Sequence, residues 1–304
     1  MLKFLFSLLT ATLIAAPATA KVSVKKVVLT SENTVFMNDY YSFSKVAEIA
    51  QQAKELDAKL PSKDPLFLVL DTGGGSIDAG IEMISNLNAL NRPIHTITLF
   101  AASMGFQTVQ GLRGHRMVLA NGTLMSHKAR GGFYGEFPGQ LDSRYSYYLR
   151  PITRLDQIAA NRTKGKHTLQ SYRDLIENEY WCDGVDCLKQ GFADSLAVVS
   201  CDSSLSGTHE ELWGRFYFDG HKIEIYDIKS DCPTITGYID YKIYVDGEPV
   251  GEKQNSTKKD SGLYSNRSTL DYMDTRDRKE LFEFIKQKVS ERTIISKTER
   301  VRKY

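Results

Sequence analysis

The tightest constraint on the fold is Leu66-Phe67-Leu68-Val69-Leu70, an unbroken apolar run that passes directly into Asp71-Thr72-Gly73-Gly74-Gly75. Such a run has no face suited to water, so as a strand it needs cover on both sides, the position of a strand inside a parallel sheet. Its neighbours alternate in the matching way. Val24 to Leu29 is mostly apolar and β-branched, and Tyr40, Phe43, Val46, Ala50, Ala53 and Leu56 recur at helical spacing. After the glycines, Ile77, Ile81, Ile84 and Leu87 form a second helical stripe that Asn91-Arg92-Pro93 closes. Residues 94–100 then read as a strand, 101–110 as a helix, and 117–119 and 124–125 as two short strands. This alternation predicts an α/β core of parallel strands joined by right-handed crossovers, with sites at the carboxyl ends of the strands.

Further along, 131–139 is glycine-rich, and helices are expected over 145–161 and 169–180. The character changes after Val199. Phe216-Tyr217-Phe218, Ile223-Glu224-Ile225-Tyr226 and 241–245 read as strands, with Asp219-Gly220 and Asp246-Gly247 as turns, which predicts a small β-rich appendage. A polar loop over 252–266 and an amphipathic helix over 277–292 complete it. The first residues differ again: Lys3, an apolar run over 4–15 and Ala18-Thr19-Ala20 have the form of a cleaved export signal, the alternative being an uncleaved membrane anchor. The expected division is therefore a signal peptide at 1–20, the main α/β domain at 21–199 and a C-terminal region at 200–304.

Export would place Cys182, Cys187, Cys201 and Cys232 in an oxidising compartment, periplasmic or extracellular, where disulfides form. Three pairings exist; the short spacing of Cys182 and Cys187 favours a local loop and leaves Cys201 for Cys232. A zinc site is the rival, but no C-x-x-C or paired histidine accompanies these residues. The net charge of +2 over 304 residues provides no field that would draw in nucleic acid or an anionic membrane.

Chemistry concentrates at three strand ends. Ala101-Ala102-Ser103-Met104-Gly105 places a hydroxyl among small residues where a strand gives way to a helix, with the Met104 N–H beside it. Alone, Ser103 reads first as a helix N-cap. The glycine triplet exposes backbone N–H groups and lacks the Gly-Lys-Ser/Thr of a nucleotide loop. Met125-Ser126-His127-Lys128 ends a strand on an imidazole suited to exchanging a proton near neutral pH. The other histidines are scattered without ligand spacing, so no metal is expected.

Together these segments resemble the proteolytic subunit of the Clp protease and its ClpP-like relatives, in the Clp-protease/crotonase superfamily. That family has an oxyanion loop of the form Asn-Ser-Pro-Gly-Gly, an Ala-Ala-Ser-Met-Gly nucleophile turn and a Met-x-His strand end. Residues 71–75, 101–105 and 125–127 match these in order and at similar spacing, with Gly73 in place of the proline, one residue fewer before Ser103, and Lys128 where glutamine is common. Residues 111–116 resemble the family's glycine-bearing connector, and Gly191-Phe192-Ala193-Asp194 its Gly-Leu-x-Asp. The likeness spans about residues 25–196.

The resemblance implies a crotonase-like spiral of repeated β-β-α and βαβ units and a serine endopeptidase that cleaves a peptide or protein without a cofactor. Ser103 would attack, His127 would act as base, and the N–H groups of Gly75 and Met104 would hold the oxyanion. Gly74, Gly131 and Gly132 would meet substrate. The family's aspartate falls on Leu175 in a gapless alignment, so Asp174 is the expected third member, with Glu177 nearly a turn further on. A homo-oligomer built through 131–139 is implied, whereas an ATPase unfoldase partner conflicts with export. Three alternatives stand beside this: a crotonase-type acyl-coenzyme A enzyme, a serine/lysine hydrolase using Lys128, and a catalytically idle scaffold.

Overall fold

A computed structural model describes residues 23–249 except 219, together with 283, 286 and 287. The apolar run forms β3 (Leu66–Thr72), buried at every position. β2 (Thr34–Met37) and β4 (Ile94–Ala102) pair with it on either side, both parallel. β5 (Arg116–Ser126), β7 (Ser195–Cys201) and β1 (Val24–Leu29) extend the parallel sheet in the order β1-β7-β5-β4-β3-β2. A short strand, β6 (Tyr180–Asp183), lies antiparallel along the end of β5.

Alternation along β3 explains its composition. Leu66, Leu68 and Leu70 enter the main core, where α1 (Phe43–Lys59) contributes Val46, Ile49 and Ala53, and α2 (Ile77–Asn88) contributes Met83 and Leu87. Phe67 and Val69 point the other way, into a cluster with Val27, Leu29, Ile97 and Met117. Phe36, Leu99, Leu119, Val199 and Cys201 of the same sheet flank this cluster, and Leu205, from the short 3-10 turn after β7, packs onto it. Both helices start at serine N-caps, Ser42 accepting from the Lys45 N–H and Ser76 from the Ala79 N–H, so each chain reversal after a strand is marked locally. The remaining helices are α3 (Met104–Gly111), α4 (Gly139–Arg162), α5 (Leu169–Leu175) and α6 (Gly184–Gln190).

Several expected boundaries move. β4 continues through Ala102, so α3 begins at Met104 and not at 101. The two short strands expected within 117–125 are one strand, β5, broken by a bulge. β2, only four residues long, carried no separable signal. α4 starts six residues before 145, because its first turns are exposed and polar or aromatic and so show no buried stripe. α5 stops at Leu175, and Tyr180 already belongs to β6.

Beyond β7, β8 (Thr208–Phe218), β9 (His221–Ser230), β10 (Tyr238–Val245) and β11 (Glu248–Pro249) form a separate antiparallel sheet around Ile223, Ile225, Tyr241, Ile243 and Val245. Gly220 and Gly247 take positive φ (79° and 85°) between its strands, as the turn signals required. Disulfides join Cys182 to Cys187 and Cys201 to Cys232, the pairing that the spacing favoured; the second ties the end of β7 to the chain after β9. No helix among the described residues is long and apolar enough to cross a membrane. The expected signal at 1–20 and loop at 252–266 lie outside the described residues, as does nearly all of the terminal helix at 277–292.

Candidate active site

β3, β4 and β5 run parallel, so the segments singled out above emerge at one edge of the sheet. Register brings them level. From Thr98 to Phe100 β4 advances two residues, while its partner positions on β5 advance five, from Val118 to Thr123. The three extra residues form a bulge at which Gly122 approaches β4 so closely that a Cβ there would sit 2.6 Å from the Thr98 carbonyl oxygen. Past the bulge Ala102 lies opposite Met125, and the Ser103 N–H donates to the Met125 carbonyl at 2.9 Å. Had pairing continued in the register of Thr98 and Val118, Ser103 would face residue 123 and His127 would lie four residues beyond it.

Ser103 itself sits at φ 55°, ψ −114°, a conformation that L-residues avoid, and its side chain caps nothing in α3. The hydroxyl is instead 2.8 Å from His127 Nε2. For that nitrogen to accept the hydroxyl proton, the ring must carry its own proton on Nδ1. Nδ1 is buried and has no hydrogen-bond partner among the described residues. Burial lowers the pKa of His127 and Arg130 lowers it further; Glu179 and the Lys128 backbone oppose them. The imidazole is therefore held toward its neutral, proton-accepting form.

The glycine loop lies against this turn. Gly74, at φ 97°, is packed so that a Cβ would meet the Ala102 carbonyl oxygen at 2.7 Å, Ser103 Cβ at 2.8 Å and Met104 N at 2.9 Å. Its role is close approach to the nucleophile turn, which leaves no room for a side chain on that side. Gly75, at φ 151°, is fixed by a bridge to Tyr41: the Tyr41 N–H donates to the Gly74 carbonyl at 3.0 Å and the Ser76 N–H to the Tyr41 carbonyl at 2.9 Å. Neither bond uses the Gly75 N–H. Met104 is the first residue of α3, whose N–H has no acceptor within its own helix. The Met104 N–H directly follows Ser103, and the Gly75 N–H lies one residue beyond the contact of Gly74 with that turn.

The other expected site residues lie elsewhere. Asp174 is exposed on α5 and accepts from Gln170 Nε2 at 2.8 Å, so it is not joined to His127. Glu177 forms an ion pair with Lys128, which occupies the lysine of the serine/lysine alternative. Gly131 and Gly132 are exposed, with nothing within 4 Å of a Cβ on either. A cavity of about 40 Å³ next to Ser103 and His127 is lined instead by Ile77, Gln107, Ala129, Ile152, Leu155 and Asp156. Asp156 is buried on α4; burial raises its carboxyl pKa, and Arg173, donating to it at 3.0 Å, opposes the rise. Beneath His127, Ser126 Oγ and Tyr172 OH share a 2.7 Å hydrogen bond, and Gln107 Nε2 donates to the same phenol oxygen at 3.2 Å. Ile152, Leu155 and Asp156 were not found from sequence because α4 comes to the site from more than twenty positions away in the chain; only its helical pattern was visible.

A family model for Clp protease matches residues 19–200. An ATP-dependent Clp protease proteolytic subunit from Streptococcus suis (strain 98HAH33) is 33% identical over 152 residues, covering 49% of this chain and 76% of the relative. Its counterpart from Lactococcus lactis subsp. lactis (strain IL1403) is 31% identical over 152 residues, covering 49% of this chain and 74% of the relative. The antiparallel sheet after β7 lies beyond the matched region.

Proposed function

Because the chain belongs to the Clp protease family, we propose that it is a serine peptidase that cleaves a peptide or protein substrate through an acyl-enzyme on Ser103. His127 Nε2 takes the hydroxyl proton as Ser103 Oγ attacks the scissile carbonyl, and the imidazolium then returns it to the leaving amine. The amides of Gly75 and Met104 receive the developing oxyanion, helped by the N-terminal end of α3. Water repeats the sequence in reverse on the ester. The carrying observation is the 2.8 Å contact between His127 Nε2 and Ser103 Oγ at a strained strand-to-helix turn. With no carboxylate bonded to His127 Nδ1 among the described residues and Asp174 bonded to Gln170, the pair works as a dyad.

The test is hydrolysis of an unfolded protein such as casein by wild type and by Ser103→Ala. A loss of roughly a thousandfold or more is expected in the variant; equal rates in the two proteins would reject the assignment.

Export is part of the same proposal. Two disulfides suit an oxidising compartment, and N-terminal sequencing of the protein recovered from the cell envelope or medium should begin at Lys21. A chain retained in the cytosol and starting at Met1 would oppose it. An ATP-driven unfoldase is not expected as a partner outside the cytosol. Self-association is proposed through the exposed aromatic residues Tyr134, Phe137, Tyr145 and Tyr147 around the start of α4.

A further inference from the structure

At the end of β5 remote from Ser126, a concavity of about 360 Å³ is lined by Arg113, His115, Arg116, Arg162, Lys164 and Asp194, among others. Ten residue steps separate Arg116 from Ser126, roughly 25–30 Å of strand, so this is not the serine cavity. Its size falls at the lower end of small-ligand pockets. Four cations surround one carboxylate, and that carboxylate is already engaged. Asp194 Oδ2 accepts from the Arg116 backbone N–H at 3.0 Å and from Arg116 Nε at 3.1 Å, while Oδ1 accepts from Arg116 Nη2 at 2.9 Å and Lys164 Nζ at 3.2 Å. These contacts hold its pKa far below the usual carboxylate range.

Arg113 and Arg162 are left without a carboxylate among the described residues. Each guanidinium donates to one carbonyl only, Arg113 Nη2 to Leu90 at 3.0 Å and Arg162 Nη2 to Gly114 at 2.9 Å, out of five N–H donors apiece. Attraction to the C-terminus of α4 does not account for Arg162, since Arg116 Nη2 takes the Arg162 carbonyl at 3.1 Å and Arg162 reaches across to a different segment. Burial lowers the pKa of Arg162 and the charge of Arg116 lowers it further, while Asp194 only partly opposes them. His115 is committed to Ser195 Oγ at 2.9 Å and adds no negative charge.

We propose that this concavity binds a small phosphate-bearing anion, held by the two guanidiniums of Arg113 and Arg162. A guanidinium fork matches the spacing of phosphate oxygens, both arginines line the same concavity with donors to spare, and a doubly charged anion would offset most of the excess charge.

Calorimetric titration of the full chain with inorganic phosphate, at ionic strength held constant with sodium chloride, tests this directly. Saturable one-to-one binding is expected, weakened about tenfold or more by Arg162→Gln and by Arg113→Gln, and unchanged by Lys54→Gln on α1. If Arg162→Gln fails to fold, the exposed Arg113 carries the comparison alone. No saturable binding to folded protein, equal affinity in wild type and Arg113→Gln, or acetate binding as tightly as phosphate would each overturn the proposal. The titration needs no hydrolysis, so it stands or falls separately from the peptidase assignment.

Discussion

Ser103 is held in a backbone conformation that costs on the order of 1–3 kcal/mol, and the surrounding turn must supply that energy. What the strain achieves is placement: the hydroxyl leaves α3 and meets His127 Nε2. The acid limb of the pH–rate profile then follows His127. Since burial lowers its pKa, half-maximal kcat/KM should fall below pH 6.5, the ordinary imidazole value. Arg130→Ala removes a charge that lowers this pKa and should move the limb to higher pH; Glu179→Gln removes one that raises it and should move the limb lower. Opposite or absent shifts would mean that another group titrates. Asp174→Ala should leave kcat/KM within about threefold of wild type, as for an ordinary surface change, whereas a hundredfold loss would make it a working acid. The contact of Ser103 with His127 was legible because motif and strand-end position coincided. Asp156 and Gln107 were not, because one carboxylate on a helical stripe looks like any solvated charge until α4 is folded over the site.

On the scale of elements, two close backbone approaches set the geometry. Gly122 allows the bulge that brings β5 into step with β4, and Gly74 lets the loop after β3 pass under the Ser103 turn. Gly74→Ala would force a methyl group to within 3 Å of backbone atoms at φ 97°. It should abolish hydrolysis in a protein whose far-ultraviolet circular dichroism is retained; full activity would show that the loop can shift freely. The glycine triplet announced a special loop, and its β3 partner was clear from the apolar run. The bulge was not legible, since 117–125 alternates poorly and reads as two strands when its three unpaired residues are hidden in register. β6 and the end of α5 were missed for a related reason: Tyr180 to Asp183 gains its strand partner only from the end of β5.

At the scale of the whole molecule, the Clp protease-like domain and the antiparallel sheet are linked by the Cys201–Cys232 disulfide as well as by the chain. Closing a loop of 31 residues restricts the unfolded chain more than the five-residue Cys182–Cys187 loop does. In chain-entropy terms the contributions are roughly 3.5–4 and 2 kcal/mol. Replacing both Cys201 and Cys232 by serine should therefore lower the unfolding midpoint more than the same change at Cys182 and Cys187; the reverse order would contradict this account. The change of character after Val199 was visible in sequence as a shift to alternating strands, although β7 runs on to Cys201 across the expected boundary. The central claim remains that one serine is activated by one histidine. Intact-mass analysis after reaction with a fluorophosphonate measures it most directly. A single adduct mapping to Ser103 is expected in wild type, and none in Ser103→Ala or His127→Ala at matched time. Unlabelled but folded wild type, or equal labelling of His127→Ala, would contradict it.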